Sequence, residues 1–184
     1  MDSPDPTRLR DLIDRLTRLA AATDWRDGLN PAQRSALAYL DRANRFSRAP
    51  SHVADYLCTT RGTASQTLKA LERKGLIAPV PSATDRRSLS FEITDAGREV
   101  LGAAVDFDAA LGSVRDKDIA AVERGLEQIV GTILSRRQFR AFGLCRTCAH
   151  HLTSEDGRHC ALLNVALQEN EADQLCHEHT ATGH

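Results

Sequence analysis

A chain of 184 residues, 41% hydrophobic and 4% aromatic, has room for one core of ordinary size, built mostly from Leu, Ala, Ile and Val as in helical proteins, plus an appendage. A formal charge of −1 excludes a uniformly basic nucleic-acid binder, yet the charge is segregated: residues 60–98 carry seven Lys and Arg against four Asp and Glu, while residues 140–184 carry three against six, so one face can be basic. No run approaches the roughly 20 apolar residues of a membrane helix and Met1–Thr7 lacks the apolar stretch of a secretory signal, so the expectation is a cytoplasmic protein with no membrane partner.

Leu9, Leu12, Ile13, Leu16, Leu19 and Ala20 recur at helical spacing and predict a helix over about residues 7–26. Asn30 as N-cap and Pro31 at the first helical position open a second helix, expected to run to about residue 46 before Ala49-Pro50 breaks it. Ser51 is expected to cap a short helix with Val53, Ala54 and Leu57 inward, and Thr60 another with Ala64, Leu68 and Leu71 inward, ended by Lys74-Gly75. Leu76–Val80 and Leu89–Ile93 read as the strands of a hairpin with a basic tip. Thr94-Asp95-Ala96-Gly97 opens a further helix, Leu111-Gly112-Ser113 interrupts it, and Ile119, Val122, Leu126, Ile129, Ile133 and Leu134 mark another. The fold class is mainly α with a small β-hairpin wing.

Two short helices joined by a tight turn are the pattern of a helix-turn-helix, whose second helix enters the major groove of double-stranded DNA. That helix opens with Thr60, Arg61, Gly62, Thr63, Ala64, Ser65 and Gln66. Hydroxyls, an amide and a guanidinium there can donate to phosphates or read base edges, and Lys69 extends the same set. Arg86 and Arg87 at the hairpin tip suit a narrow minor groove, with Asp85 able to orient one guanidinium by a bidentate pair. Taken alone, charged hairpin tips and helix faces are ordinary solvated surface; the helix-turn-helix at the proper distance is what gives these residues a role.

The runs Val53-Ala54-Asp55-Tyr56-Leu57, Leu68 through Ile77, Asp85-Arg86-Arg87 and Ile93-Thr94-Asp95-Ala96-Gly97 together resemble the MarR family of transcriptional regulators, over about residues 7–139. The resemblance implies a winged helix-turn-helix core flanked by dimerisation helices: a homodimer through the N-terminal helix and the last two core helices. Such a dimer should prefer inverted-repeat operators, with a small-molecule effector between the DNA-binding and dimerisation regions. The apolar stripes of residues 9–20 and 119–134 accord with a dimer and equally with a plain intramolecular core.

Beyond Phe139 the composition changes, which divides the chain into residues 1–139, a winged-helix DNA-binding and dimerisation domain, and residues 140–184, a Cys/His-rich tail. In a reducing compartment Cys145, Cys148, Cys160 and Cys176 are better read as ligands than as disulfides. The Cys-x-x-Cys pair can aim two thiolates at one ion and the other two can close a tetrahedral site, with one of His150, His151, His159, His177 or His179 as a substitute ligand. Zinc is the default metal, an iron–sulfur cluster is the alternative that would make the protein a redox sensor, and a metal-free thiol switch is a third. Leu152, Leu162, Leu163, Val165, Leu167 and Leu175 suffice for one short amphipathic helix docked on the core, so something else must order the Cys145 loop. Cys58 reads as a small buried hydrophobe. No His-Glu-x-x-His, deaminase-type or phosphate-loop motif is present, which argues against an enzyme; a winged helix serving only protein interaction is the remaining alternative.

Overall fold

A computed structural model describes residues 5–23, 28–83, 88–102, 105–154 and 157–182. Helices α1 (Pro6–Thr23), α2 (Pro31–Arg42), α3 (Pro50–Tyr56) and α4 (Arg61–Arg73) lead to the hairpin of β1 (Ile77–Pro81) and β2 (Leu89–Ile93), then to α5 (Asp95–Gly102), α6 (Val105–Gly112) and α7 (Asp116–Arg137). The tail adds five short strands, β3 (Gly143–Leu144), β4 (His151–Ser154), β5 (Gly157–Cys160), β6 (Val165–Leu167) and β7 (Leu175–Cys176), with 3₁₀ turns at Cys145–Thr147 and Glu169–Asp173.

The core lies where α2, α3, α4 and the hairpin converge. Leu37, Leu40, Val53, Ala64 and Leu68 are wholly buried there, joined by Ile77, Phe91 and Ile93 from the hairpin. β1 and β2 pair antiparallel from Ile77↔Ile93 to Pro81↔Leu89, which alternates apolar residues toward the helices. Thr94 closes the unit, its N–H donating to the Leu76 carbonyl at 3.0 Å and its Oγ1 to the Gly75 carbonyl at 2.8 Å while accepting from Gly97 N–H. A Cβ on Gly97 would stand 2.3 Å from the Leu76 carbonyl oxygen, so only glycine lets α5 approach the strand this closely.

Several boundaries differ from expectation. α2 is capped by Asn30, which accepts from Gln33 N–H at 2.9 Å, but it stops at Arg42 rather than near residue 46. Asn44 there accepts from Phe46 N–H and from the Ser47 hydroxyl, turning the chain before another helical turn can form. α3 begins at Pro50 after an Ala49 cap position with no side-chain bond, not at a Ser51 cap. α1 ends at Thr23, the expected continuation to 26 lying outside the described residues.

The tail is the larger correction: it contains no α-helix among its described residues. β4, β5 and β6 form an antiparallel three-stranded sheet, and β3 pairs with β7. The apolar residues expected to line one helix are split instead between short strands and the turn after β5, where Leu152 and Leu162 are about half exposed while Leu175 is buried. The tail is not free of the rest. α7 ends at Gln138 in a left-handed conformation, φ 53°, and the chain turns back so that Phe142 meets Tyr39 and Tyr56 edge-on and Leu175 enters the winged-helix core.

Candidate functional site

α3 and α4 form the helix-turn-helix. The turn between them carries Cys58 at φ 50°, with Cys58 N–H donating to the Asp55 carbonyl and Thr59 N–H to the Ala54 carbonyl. These bonds hold Cys58 at the surface, so it is exposed and not the buried hydrophobe expected. Thr60 caps α4, its Oγ1 accepting from Thr63 N–H at 3.1 Å and lying 2.9 Å from the Thr63 hydroxyl. Along the outer side of α4, Arg61, Thr63, Gln66 and Lys69 are exposed and Ser65 is half-buried, while Ala64, Leu68 and Leu71 anchor the opposite side. Gly62 lies between the polar groups with open space around its Cα, leaving the backbone accessible. Asp85, Arg86 and Arg87 lie outside the described residues; the hairpin that carries them is closed as far as the bond from Ser82 N–H to the Ser88 carbonyl, 2.9 Å.

A second assembly gathers the four tail cysteines. β3–β7 pairing sets Gly143 opposite Cys176 and Leu144 opposite Leu175, which puts Cys145 diagonal to Cys176, and Cys145 N–H donates to the Gln174 carbonyl at 3.0 Å. The 3₁₀ turn places Cys148 one turn on, its N–H bonded to the Cys145 carbonyl. Cys160 comes in from β5, cross-strand from His151, whose Nδ1 is 3.4 Å from Cys145 Sγ. Cys145, Cys148 and Cys176 are buried and Cys160 half-buried, all as free cysteines. Burial, then the fields of Cys176, Cys160 and Cys148, push the Cys145 thiol up to about 12. Burial raises the Cys176 thiol as well. Of the histidines considered as ligands, His159 Nε2 faces Asn164 Oδ1 at 3.2 Å and His179 Nε2 faces the Thr147 hydroxyl at 2.9 Å.

Among the described residues, the trio of His, Cys, Asp or Glu ligand atoms lying within 4.8 Å of one another is His52, His177 and Glu178. It is a poor metal site. The two imidazoles stack face to face at 3.8 Å and 19°, whereas each lone pair lies in its ring plane, so the rings cannot both aim at one ion. Both nitrogens of His177 are moreover engaged, Nε2 with Asp55 at 3.0 Å and Nδ1 with Glu178 at 3.2 Å. The stack joins the tail to α3, and burial with the field of His177 pushes His52 down to about 4, which keeps that ring neutral. Sequence reasoning missed His52, Asp55 and Ser47 as partners of the tail. No periodicity pairs residues 122 or 130 apart in the chain.

α1 and α7 form a third feature. Every side chain of α1 from Pro6 to Leu19 is exposed and α7 buries none, although Leu9, Leu12, Ile13, Leu16, Val122, Leu126, Ile129 and Ile133 are large and apolar. Leu9, Ile13, Ile129 and Ile133 line one groove of about 530 Å³ between the two helices. No helix among the described residues is long and apolar enough to cross a membrane.

The chain matches the MarR family over residues 27–88, which runs from α2 through β1 and stops before β2. Three similar solved structures are a Staphylococcus aureus MepR–DNA complex (20% identity, TM-score 0.56), S. aureus MepR described as a transcription regulator of the multidrug efflux pump MepA (18%, 0.53), and the transcriptional regulator BldR from Sulfolobus solfataricus (22%, 0.52). The matches cover 70%, 71% and 68% of this chain and 96%, 99% and 94% of those chains, so this chain carries more than they do. No curated protein matches it. The family match is confined to the winged-helix segment, and the three solved structures, at 18–22% identity, share the fold.

Proposed function

We propose that this protein is a dimeric, sequence-specific DNA-binding transcriptional regulator whose tail holds a metal centre on Cys145, Cys148, Cys160 and Cys176. The carrying observation is α4: a helix-turn-helix second helix with Arg61, Thr63, Gln66 and Lys69 exposed on one side and its apolar side locked into the core. One similar structure is of a DNA complex, which supports the same reading. The exposed apolar stripes of α1 and α7 support a homodimer, since monomers rarely leave so large an apolar patch in water. Two reading helices related by a two-fold axis would then favour an inverted repeat with half-sites roughly 34–36 Å apart.

Selection from a random duplex pool, followed by titration at several salt concentrations, tests this reading. Enrichment of an inverted repeat is expected, with a log–log salt slope that falls by about 0.9 for each phosphate no longer neutralised in Arg61→Ala or in Arg86→Ala with Arg87→Ala. Unchanged affinity and slope in both variants would leave a protein-interaction module. Light scattering should give the mass of two chains.

Four thiolates fit a single tetrahedral zinc, with bonds of about 2.3 Å, which is the first reading. An iron–sulfur cluster on the same four cysteines is the second. Anaerobic purification decides: brown protein with iron and acid-labile sulfide supports the cluster, about one zinc per chain without colour supports the single ion, and neither metal defeats the centre.

A further inference from the structure

The cysteine centre and the helix-turn-helix are one residue apart. Cys176 is flanked by Leu175, whose carbonyl accepts from Asn44 N–H at 2.9 Å, and by His177, whose N–H donates to Ser47 Oγ at 2.8 Å. Ser47 is itself fixed, its hydroxyl donating to Asn44 Oδ1 at 2.7 Å and its carbonyl accepting from the Tyr39 hydroxyl at 2.6 Å. The α2–α3 turn is thus stitched to both neighbours of a ligand cysteine. The His177 ring goes on to α3, stacking on His52 and meeting Asp55 at 3.0 Å, and Phe142 and Tyr56 complete an aromatic cluster around the same helix.

From this juxtaposition we infer that filling the four-cysteine centre holds α3, and with it α4, in the DNA-binding arrangement through the segment Leu175–His177, so that DNA affinity reports whether the centre is occupied. The inference rests on the metal centre proposed above. Its physical basis is how little apolar packing orders the tail, whose other anchors on the core include the Arg45–Glu171 pair at 3.0 Å and the Phe142 ring. Leu152 and Leu162 are about half exposed, and the tail's buried residues include Cys145, Cys148, Glu171, Cys176 and His177, which apolar packing alone does not hold. An ion or cluster that pulls Cys145, Cys148 and Cys160 onto Cys176 orders that segment, because in small sites binding free energy appears as folding free energy. Removing it loosens the tail first, and the bonds to Ser47, His52 and Asp55 go with it. The ordered and loosened tails are two states that hold α3 differently, which is what a coupling between two sites requires.

The test uses the full-length protein and a labelled duplex obtained from the selection described above. Metal and sulfide are counted, and affinity is read by fluorescence anisotropy before chelation under reducing conditions, after it, and after reloading. Wild type should weaken by about tenfold or more on losing its metal and recover on reloading. His177→Ala should keep its metal and lose the dependence of affinity on it. Asp55→Ala carries little risk to folding because that side chain is 41% exposed, and it should blunt the same dependence. If loaded and stripped wild type bind equally, or the stripped protein binds more tightly, the coupling is wrong while the centre stands. If both variants respond to metal as wild type does, the path through His177 is wrong. If the wild type carries no metal, the centre itself fails and the coupling with it.

Discussion

In the winged-helix unit Leu37, Leu40, Ala64 and Leu68 are fully excluded from solvent, and each helix enters it with an apolar side that the periodicity of the chain marks. In the tail, strands of two to four residues and the turn after β5 leave Leu152 and Leu162 about half exposed, and among the buried groups are three thiols, a carboxylate and an imidazole. One region is held by area removed from water and the other largely by polar bonds. For folding, the dependence should run one way: the tail needs the core, because Leu175 is seated in it, whereas the winged helix should fold without the tail and need it only to hold α3 for DNA.

The largest expected effect breaks the comparison on the tail side. Cys145→Ser together with Cys148→Ser removes half of the proposed ligand set, and with it binding free energy on the order of 10 kcal/mol if the centre behaves as a structural zinc site does. Residues 140–182 should become protease-sensitive and lose amide protection while the winged helix keeps its cooperative unfolding. A tail that stays protected in this variant would mean that apolar packing suffices for it.

Leu68→Ala attacks the other side. Truncating a fully buried leucine costs about 2–5 kcal/mol, and urea unfolding should show both regions weakened together, since the tail's seat is lost with the core. Gly97→Ala should cost about 1–3 kcal/mol by the same measurement, because the new methyl meets the Leu76 backbone oxygen and Ile93, of which the backbone cannot move aside cheaply. Gly62→Ala is the small contrasting case. Its Cβ meets nothing closer than 3.9 Å, so stability should rise by about 0.5 kcal/mol while DNA affinity falls if the backbone there approaches phosphate. A rise in both would place the DNA elsewhere on α4.

The same contrast explains what is legible in the sequence. Asn30, Thr60 and the apolar spacing of residues 61–73 specify local structure within a few residues, so the cap, the helix and its outward polar groups follow directly. The stripes of α1 and α7 are legible as helices, but their exposure is not, because periodicity says that a face is apolar and not what covers it. In the tail the Cys-x-x-Cys pair announces a thiol site, whereas Leu162, Leu163, Val165 and Leu167 suggest a helix because runs of three or four residues are too short to show a period of two. The stitching of Leu175 and His177 to Ala43, Asn44, Ser47 and Asp55 is a product of the fold alone, linking residues more than a hundred positions apart. Cys58 escapes a reading by composition, which favours burial for cysteine, because a left-handed turn overrides that preference.

One consequence of the left-handed stop at Gln138 concerns shape. α5 is fastened to α2 by Arg98 and Asp41, 3.6 Å apart, and the chain returns to the end of α2 where Ala43 bridges Leu175. The described residues between these points include α7, 22 residues and about 33 Å long. In the proposed dimer, a reading head fastened at both places should not swing on a single hinge relative to α1 and α7. A pair of such heads joined along α1 and α7 would keep a nearly constant span, so a duplex whose half-sites are moved apart by a few base pairs should be gripped at one end only.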